Sequence, residues 1–167
     1  MDKAALGTLF ALLDEAGLAT PNAGRASDIV ACPGLDYCNL ANARSIPIAQ
    51  AISTGLHQAG LDDATGDLTI KISGCINACG HHHVANIGLL GVDKAGVEVY
   101  QLTLGGVGDG AAAIGKILGP GLSADDAVTA AIACVRVYAE HALAQETFIQ
   151  TLNRLGTEPF KEAVYGA

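Results

Sequence analysis

The sequence is short of aromatic and basic residues, and each shortage limits what the protein can be. It has no tryptophan, three phenylalanines and four tyrosines, so alanine, leucine, isoleucine and valine must build the core. Nine Lys and Arg stand against seventeen Asp and Glu, which gives a formal charge of -8 at pH 7. Because phosphates and acidic lipids attract clustered cations, no nucleic acid and no membrane surface is expected as a partner.

The sequence also lacks a membrane-spanning or secretory signal. No stretch reaches the roughly 18 uninterrupted apolar residues that a transmembrane helix needs. The N-terminal segment carries Asp2, Lys3, Asp14 and Glu15 around an amphipathic pattern, and not a basic region followed by an apolar run. A cytoplasmic protein is therefore expected, in which the five cysteines favour metal or redox chemistry over disulfides.

The residues that are present suffice for one folded unit. Half of the 167 residues are apolar, which predicts a single domain over residues 1–167. Residues 60–66 are predicted to form an acidic loop. The strands predicted over residues 84–92 and 97–104 are expected to form a hairpin. The expected fold class is α/β (α+β), a mixed β-sheet flanked by helices. Apolar periodicity predicts helices over 3–18, 39–56, 124–143, 147–155 and 159–165, and strands over 28–31, 68–73, 84–92 and 97–104.

The helix predicted over 39–56 begins directly after a cysteine. Asn39 is the expected N-cap, and Pro47 is expected to kink the helix or restart it with Ser45 as the second cap. A helix N-terminus at this position would stabilise negative charge on a thiolate-bound centre. An ordinary capped surface helix explains Asn39 equally well.

Four of the five cysteines form two pairs. Cys32 and Cys38 have five residues between them, and Cys75 and Cys79 have three. Their neighbours include small, flexible residues, namely Gly34, Gly74 and Gly80. Such neighbours let a backbone wrap closely around an inorganic centre and point amides at its sulfides. The four cysteines are therefore predicted to form one iron-sulfur cluster site.

Other uses of the same thiols stay open at this point. A four-cysteine zinc-binding interaction domain is one alternative, although zinc pairs more often have two to four intervening residues than the five between Cys32 and Cys38. A small 4Fe-4S electron carrier without haem is another, and four unligated core cysteines a third. Cys134 lies in an alanine-rich helical pattern and is predicted to be a plain core residue.

Polar residues beside the second pair are further candidates. His81, His82 and His83 could face a bound cofactor or relay protons, since imidazole titrates near neutral pH. They could equally bind adventitious metal or form a solvated loop. Asn77 and His81 are the residues assigned as cofactor contacts, with capping of the turn as the alternative role of Asn77.

Two segments resemble a known family. Residues 31–38 (ACPGLDYC) and 73–80 (SGCINACG) resemble the cysteine signature of the sirohaem and 4Fe-4S domain of nitrite and sulfite reductases. The resemblance continues through residues 85–91 (ANIGLLG), and residues 156–161 (GTEPFK) resemble the C-terminus of sulfite reductase haemoprotein beta-components. It covers nearly the whole chain, but only the C-terminal portion of those longer enzymes.

The resemblance implies a specific chemistry. Cys32, Cys38, Cys75 and Cys79 would bind one 4Fe-4S cluster, and Cys79 would also be the axial ligand of the sirohaem iron. The implied reaction is the six-electron reduction of sulfite to sulfide, or of nitrite to ammonia, with electrons from ferredoxin or a flavoprotein. The sequence does not distinguish sulfite from nitrite.

One requirement of that reaction is missing from the chain. An oxyanion needs converging Arg and Lys side chains, whereas the cations here are spread singly along the sequence. The anion-binding residues are therefore expected in the N-terminal half of the same reductase. This chain is expected to be a truncated part of that enzyme or a separately encoded subunit. The isolated chain is expected to hold sirohaem poorly and to be inactive.

Overall fold

One mixed five-stranded sheet organises the chain. A computed structural model describes residues 2–62 and 67–166, so part of the predicted acidic loop, residues 63–66, lies outside the described residues. The strands are β1 (Val30–Ala31), β2 (Ile70–Ser73), β3 (Ile87–Lys94), β4 (Val97–Leu104) and β5 (Lys116–Ile117), in that spatial order. β1, β2 and β3 are parallel, and β4 and β5 add antiparallel. The mixed sheet predicted from the sequence is confirmed.

The hairpin between β3 and β4 is also confirmed. Lys94 pairs with Val97 across a two-residue turn. Both turn residues have positive φ, 55° at Ala95 and 83° at Gly96. This is the backbone that a two-residue hairpin needs to match the twist of its strands.

Five α-helices lie in the described residues. They are α1 (Leu6–Glu15), α2 (Ile46–Gln58), α3 (Ala124–His141), α4 (Phe148–Leu155) and α5 (Glu158–Tyr165). The Ser123 hydroxyl caps α3 by accepting from the Asp126 amide, and Thr147 with Gln150 forms a capping box at α4. These two starts follow the local sequence, as predicted. No helix of the described residues has the length and apolarity needed to cross a membrane.

The core lies between the sheet and the helices. α2 packs on α3, and α3 also contacts β3, β4 and α5. The fully buried side chains are mostly aliphatic, as the composition predicts, with Tyr100 and Phe160 among the largest. The rings of Tyr138, Phe148 and Phe160 stack edge to face at 5.5 and 5.7 Å and join α3 to α4 and α5. Three of the seven aromatic residues therefore pack between the C-terminal helices.

Cys134 belongs to this core. It has no exposed surface, and burial raises the pKa of its thiol to about 12. Its complete burial confirms its prediction as a core residue, and a thiol with so high a pKa stays protonated at neutral pH.

The helix predicted over 39–56 is wrong in its first part. α2 begins at Ile46, and residues 39–45 are not helical. Asn39 therefore caps no helix, and the reason is a competing set of backbone bonds. The amides of Asn42 and Ala43 donate to the Gly74 carbonyl at 2.8 and 3.0 Å. The restart at Ser45 is confirmed, with Pro47 in the first turn, but the Ser45 side chain makes no capping bond.

The face of the sheet opposite the helices carries the segment after the second cysteine pair. Ile87 and Leu89 belong to the core, so Gly88 between them faces the other way. A Cβ on Gly88 would fall on the His82 carbonyl oxygen. The 3-10 turn His82–Val84 therefore packs directly on this second face.

Candidate functional site

Both cysteine pairs begin at the same edge of the sheet. β1 ends at Ala31, and Cys32 follows it directly. β2 ends at Ser73, and Cys75 follows it after one glycine. The two strands are parallel, and the Cys32 amide donates to the Ile72 carbonyl at 3.1 Å. Since parallel strands point their carboxyl ends the same way, the strand order alone brings the first cysteine of each pair together.

The Cys32 sulfur joins the two cysteine loops. The Gly74 amide donates to Cys32 Sγ at 3.1 Å, and Ser45 Oγ lies 3.4 Å from it. Burial by itself would raise the pKa of the Cys32 thiol, but the hydrogen bonds from Ser45, Gly74 and Gly34 outweigh burial and lower that pKa. Hydrogen bonds to the charged form favour a thiolate. The surroundings of Cys32 therefore favour its thiolate form.

Gly74 lets the loop of the first pair approach the loop of the second. A Cβ on Gly74 would lie 2.5 Å from the Ala43 carbonyl oxygen and 3.1 Å from the Cα of Gly34. No other residue type fits without moving the backbone. The segment that carries Cys38 is thereby seated against the residue that precedes Cys75.

The four thiols differ in exposure. Cys75 is buried, Cys32 and Cys38 are half-buried and Cys79 is exposed, and none forms a disulfide. Within residues 2–62 and 67–166, no three His, Cys, Asp or Glu side chains are arranged to hold a single metal ion. The two cysteine loops are in contact at one edge of the sheet, and the described residues form no closed mononuclear site.

Cys79 lies between two residues whose backbone has the left-handed conformation. Ala78 and His81 both have φ of 56°, a conformation that costs an L-residue roughly 1–2 kcal/mol. The turn is closed by bonds from Ala78 N to Cys75 O and from His81 N to Ala78 O, at 3.1 and 2.7 Å. The Cys79 thiol within this turn is exposed.

Of the three histidines, the structure singles out His82. Its ring is buried and meets the ring of His83 edge-on at 5.4 Å. Its Nδ1 has no hydrogen-bond partner within the described part of the chain. Burial, and then the neighbouring His83, lower the pKa of His82, so its ring is neutral at physiological pH. His81 and Asn77 are exposed.

Several large apolar side chains on the two cysteine loops are exposed. Tyr37 is 79% exposed and Ile76 is 84% exposed, and Leu35 and Leu40 are exposed beside them. Each lies on a cysteine loop, within three residues of a thiol. Grouped apolar surface of this kind is typical of a surface that another body covers.

Sequence reasoning missed two contacts of this site. The Ser45 hydroxyl was expected to cap a helix, and it contacts Cys32 instead. Arg44 makes ion pairs to Asp36 and Glu98, the second of which lies on β4. No local pattern identifies these partners, because each depends on a strand or loop brought in from far along the chain.

The chain is similar to a described protein family and to known proteins. Residues 24–166 match the model of the family described as the nitrite and sulphite reductase 4Fe-4S domain. The sulfite reductase [NADPH] hemoprotein beta-component of Methylobacterium nodulans is 36% identical over 104 residues, which are 60% of this chain and 16% of that protein. The sulfite reductase [ferredoxin] of Mycobacterium tuberculosis is 33% identical over 112 residues, or 62% of this chain and 20% of that protein.

A solved structure is similar as well. The structure of the Mycobacterium tuberculosis NirA protein superposes with a TM-score of 0.80 at 26% identity, over 96% of this chain and 31% of that chain. The chain thus spans a fifth or less of the curated relatives named here and about a third of the solved neighbour.

Proposed function

Because the chain belongs to the nitrite and sulphite reductase 4Fe-4S domain family, we propose that it is the cluster-binding and sirohaem-binding module of a sulfite or nitrite reductase. In the assembled enzyme the reaction is the six-electron reduction of sulfite to sulfide or of nitrite to ammonia. The observation that carries the proposal is the contact between the two cysteine loops, made by the Gly74 amide on Cys32 Sγ.

Cys32, Cys38, Cys75 and Cys79 are the proposed ligands of a 4Fe-4S cluster. The donor set is right, since four thiolates hold such a cluster. The surroundings also fit, because Cys32 already accepts an amide hydrogen bond and Gly74 leaves no Cβ between the loops. Amide donors next to a ligand sulfur stabilise the charge of a bound cluster.

Cys79 is the proposed sulfur shared with the sirohaem iron. It is the exposed thiol of the four, so a second group can approach it from outside the sheet edge. Asn77 and His81, both exposed beside it, are the proposed contacts of that group. When bound, the cluster would supply electrons one at a time, and the sirohaem would supply the site for the anion.

The chain is proposed to act together with the remaining part of the reductase. The exposed apolar residues around the thiols offer that part a surface to cover, and anion-binding cations would come from it. Ferredoxin or a flavoprotein is the proposed electron donor, and the names of the two relatives mention NADPH and ferredoxin. A reducing cytoplasm is the proposed location, since it keeps the thiols free to bind iron.

Anaerobic reconstitution tests the cluster. The purified chain, supplied with iron and sulfide, is expected to hold about four irons and four sulfides, one cluster for its four thiolate ligands. Cys32→Ser and Cys75→Ser are expected to lose most of the bound iron. Cys134→Ser is the matched control and should retain it, because Cys134 lies in the core.

Metal analysis of the same samples separates the alternatives. One zinc per chain with no sulfide would replace the cluster by a zinc site. A full cluster that gains no sirohaem, even with the rest of the reductase present, would make the chain an electron carrier. Iron that stays bound after loss of Cys32 or Cys75 would contradict the proposed ligand set.

A further inference from the structure

One ion-pair network connects the loop of Cys38 to the sheet. Arg44 Nε donates to Asp36 Oδ1 at 3.1 Å, and Arg44 Nη1 pairs with Glu98 Oε1. The backbone amide of Arg44 donates to the other oxygen of Glu98 at 3.0 Å. Asp36 and Arg44 lie on either side of Cys38 in the sequence, so one guanidinium closes the base of the loop and fixes that base to β4.

The β4 end of this network is anchored in the core. Tyr100 has no exposed surface, and its hydroxyl lies 2.8 Å from the Arg44 carbonyl and 3.2 Å from Glu98 Oε2. Both the backbone and the side chain of Arg44 are therefore fixed by residues of β4. The network cannot shift without moving a buried side chain.

Cys38 needs such support more than the other half-buried ligand. Cys32 follows a strand, and its sulfur is fixed by an amide and a hydroxyl. Cys38 lies in a loop, where the Ala41 amide bonds its carbonyl at 3.1 Å and the described residues give its sulfur no hydrogen bond. Its position thus depends on how firmly the loop base is closed.

We propose that Arg44, bridging Asp36 and Glu98, is a positioning residue that holds the Cys38 thiol in place for cluster binding. The inference depends on the proposed function for its purpose, while its geometry concerns this chain alone. A planar guanidinium suits the task because it bonds two carboxylates in fixed directions, which an ammonium does not.

An ordinary surface ion pair is the competing explanation. The Arg44 side chain is 51% exposed, and those of Asp36 and Glu98 are 33% and 25% exposed. Isolated pairs at such exposure contribute little. This network differs because the backbone amide and carbonyl of Arg44 are bound as well, so that the side-chain pairs add to a fixed geometry.

Alkylation of the metal-free chain tests the proposal without any cofactor. Rates at each cysteine are measured by mass spectrometry under anaerobic conditions. Arg44→Ala and Glu98→Ala are both expected to speed alkylation of Cys38 by about fivefold, the change in population that a modest loss of loop stability produces. The rate at Cys32 relative to Cys134 should stay near the wild-type value.

The two variants separate loop opening from simple electrostatics. Arg44→Ala removes a positive charge and Glu98→Ala a negative one, so a charge effect on the Cys38 thiolate would change the two rates in opposite directions. Loop opening changes both in the same direction. Arg44→Lys should give an intermediate rate, because one ammonium cannot reproduce both bridges.

A second measurement uses the loaded chain. Loss of the cluster to a chelator is expected to be several times faster in Arg44→Ala and in Asp36→Asn than in wild type. Arg154→Ala is the matched control: it removes another exposed arginine paired to a glutamate, Glu146, and should release iron at the wild-type rate.

The outcomes distinguish the two proposals. Unchanged or oppositely changed Cys38 alkylation in Arg44→Ala and Glu98→Ala would overturn the positioning role, whether or not a cluster binds. A wild-type chain that takes up no iron would overturn the proposed function, while the alkylation rates would still decide the role of Arg44. Equal chelator rates in all loaded variants would also count against Arg44.

Discussion

At the scale of single residues, the turn that carries Cys79 stores strain. Ala78 and His81 adopt the left-handed backbone conformation on either side of the thiol, which side-chain-bearing residues seldom do. Strain of this kind persists where the surrounding contacts over-determine the backbone. Here the Ser73 hydroxyl accepts from the Gly80 amide at 3.2 Å and helps to hold the turn.

Ala78→Gly is expected to stabilise the chain. Relief of the left-handed conformation contributes roughly 1–2 kcal/mol, and the greater freedom of glycine in the unfolded chain offsets about 0.5–1 kcal/mol of it. A net gain of about 0.5 kcal/mol in the free energy of unfolding should follow, measured by urea denaturation. A loss of stability would contradict the strain argument.

Ala95→Gly provides the matched control for that variant. Ala95 has φ of 55° and lies in the hairpin turn, away from the cysteine loops. Ala95→Gly should increase the free energy of unfolding by a similar amount. Only Ala78→Gly should also change the alkylation rate of Cys79, because only that turn carries a thiol.

At the scale of elements, the start of α4 depends on one ionised carboxylate. Glu146 accepts from Arg154 Nη2 at 2.6 Å, from the Leu143 amide at 3.0 Å and from the Thr151 hydroxyl at 2.9 Å. The hydrogen bond from Arg154, followed by that from Leu143, lowers the pKa of Glu146 to about 2. The bonds join the loop before α4 to the helix itself.

This lowered pKa predicts a definite pH dependence. A carboxyl whose pKa is lower in the folded chain contributes stability above its unfolded pKa, here near 4.5, and loses it as the pH falls towards 2. The difference in free energy of unfolding between wild type and Glu146→Gln should therefore be full at pH 6 and shrink below pH 4.5. Urea denaturation at pH 6, 4 and 3 measures it.

Glu158→Gln is the control for this prediction. Glu158 pairs with Lys161 on the next helix at 2.9 Å, and its own pKa is lowered by that pair, but its bond to the preceding loop is a long one, 3.5 Å from the Thr157 hydroxyl. Its substitution should change stability little at any pH. If the difference in free energy of unfolding between wild type and Glu146→Gln is constant from pH 6 to pH 3, ionisation of Glu146 is not the cause of the stabilisation.

Elements with local causes could be predicted from the sequence, and those with distant causes could not. The hairpin follows from its two-residue turn, and the starts of α3 and α4 follow from Ser123 and Thr147. The helix expected from Asn39 fails because Asn42 and Ala43 bond to Gly74, which lies on another loop. The same limit applies to the site: the strand ends place Cys32 and Cys75, whereas the bond of Arg44 to Glu98 needs the folded sheet.

At the scale of the whole molecule, the chain exposes apolar side chains that its own core does not bury. α1 buries none of its residues, and Phe10 and Leu12 are more than half exposed on it. The amphipathic helix predicted for this segment is confirmed, but its apolar side chains do not join the core. Together with the exposed apolar residues on the cysteine loops, they fit a chain that spans a fifth or less of its curated relatives.

Turnover of sulfite or nitrite is expected to require the remaining part of the proposed reductase. With a full cluster and a chemical reductant, the chain alone should reduce sulfite or nitrite no faster than a Cys75→Ser control. The reason is that its few cations are dispersed, whereas an oxyanion needs several that converge. Addition of the remaining part of the reductase should restore activity. Rapid turnover by the chain alone would contradict this division of labour.

The shortness of β1 has a consequence for how the metal centre is built. A strand of two residues at the sheet margin has few backbone bonds to hold it, so its amides are expected to exchange with solvent sooner than those of β3, even though Gly74 and Ser45 hold the Cys32 sulfur. Deuterium uptake at the Cys32 amide, which donates to the Ile72 carbonyl, would then report binding of the cluster. Uptake is expected to be rapid before the cluster binds and slow once the bound cluster holds β1 in place.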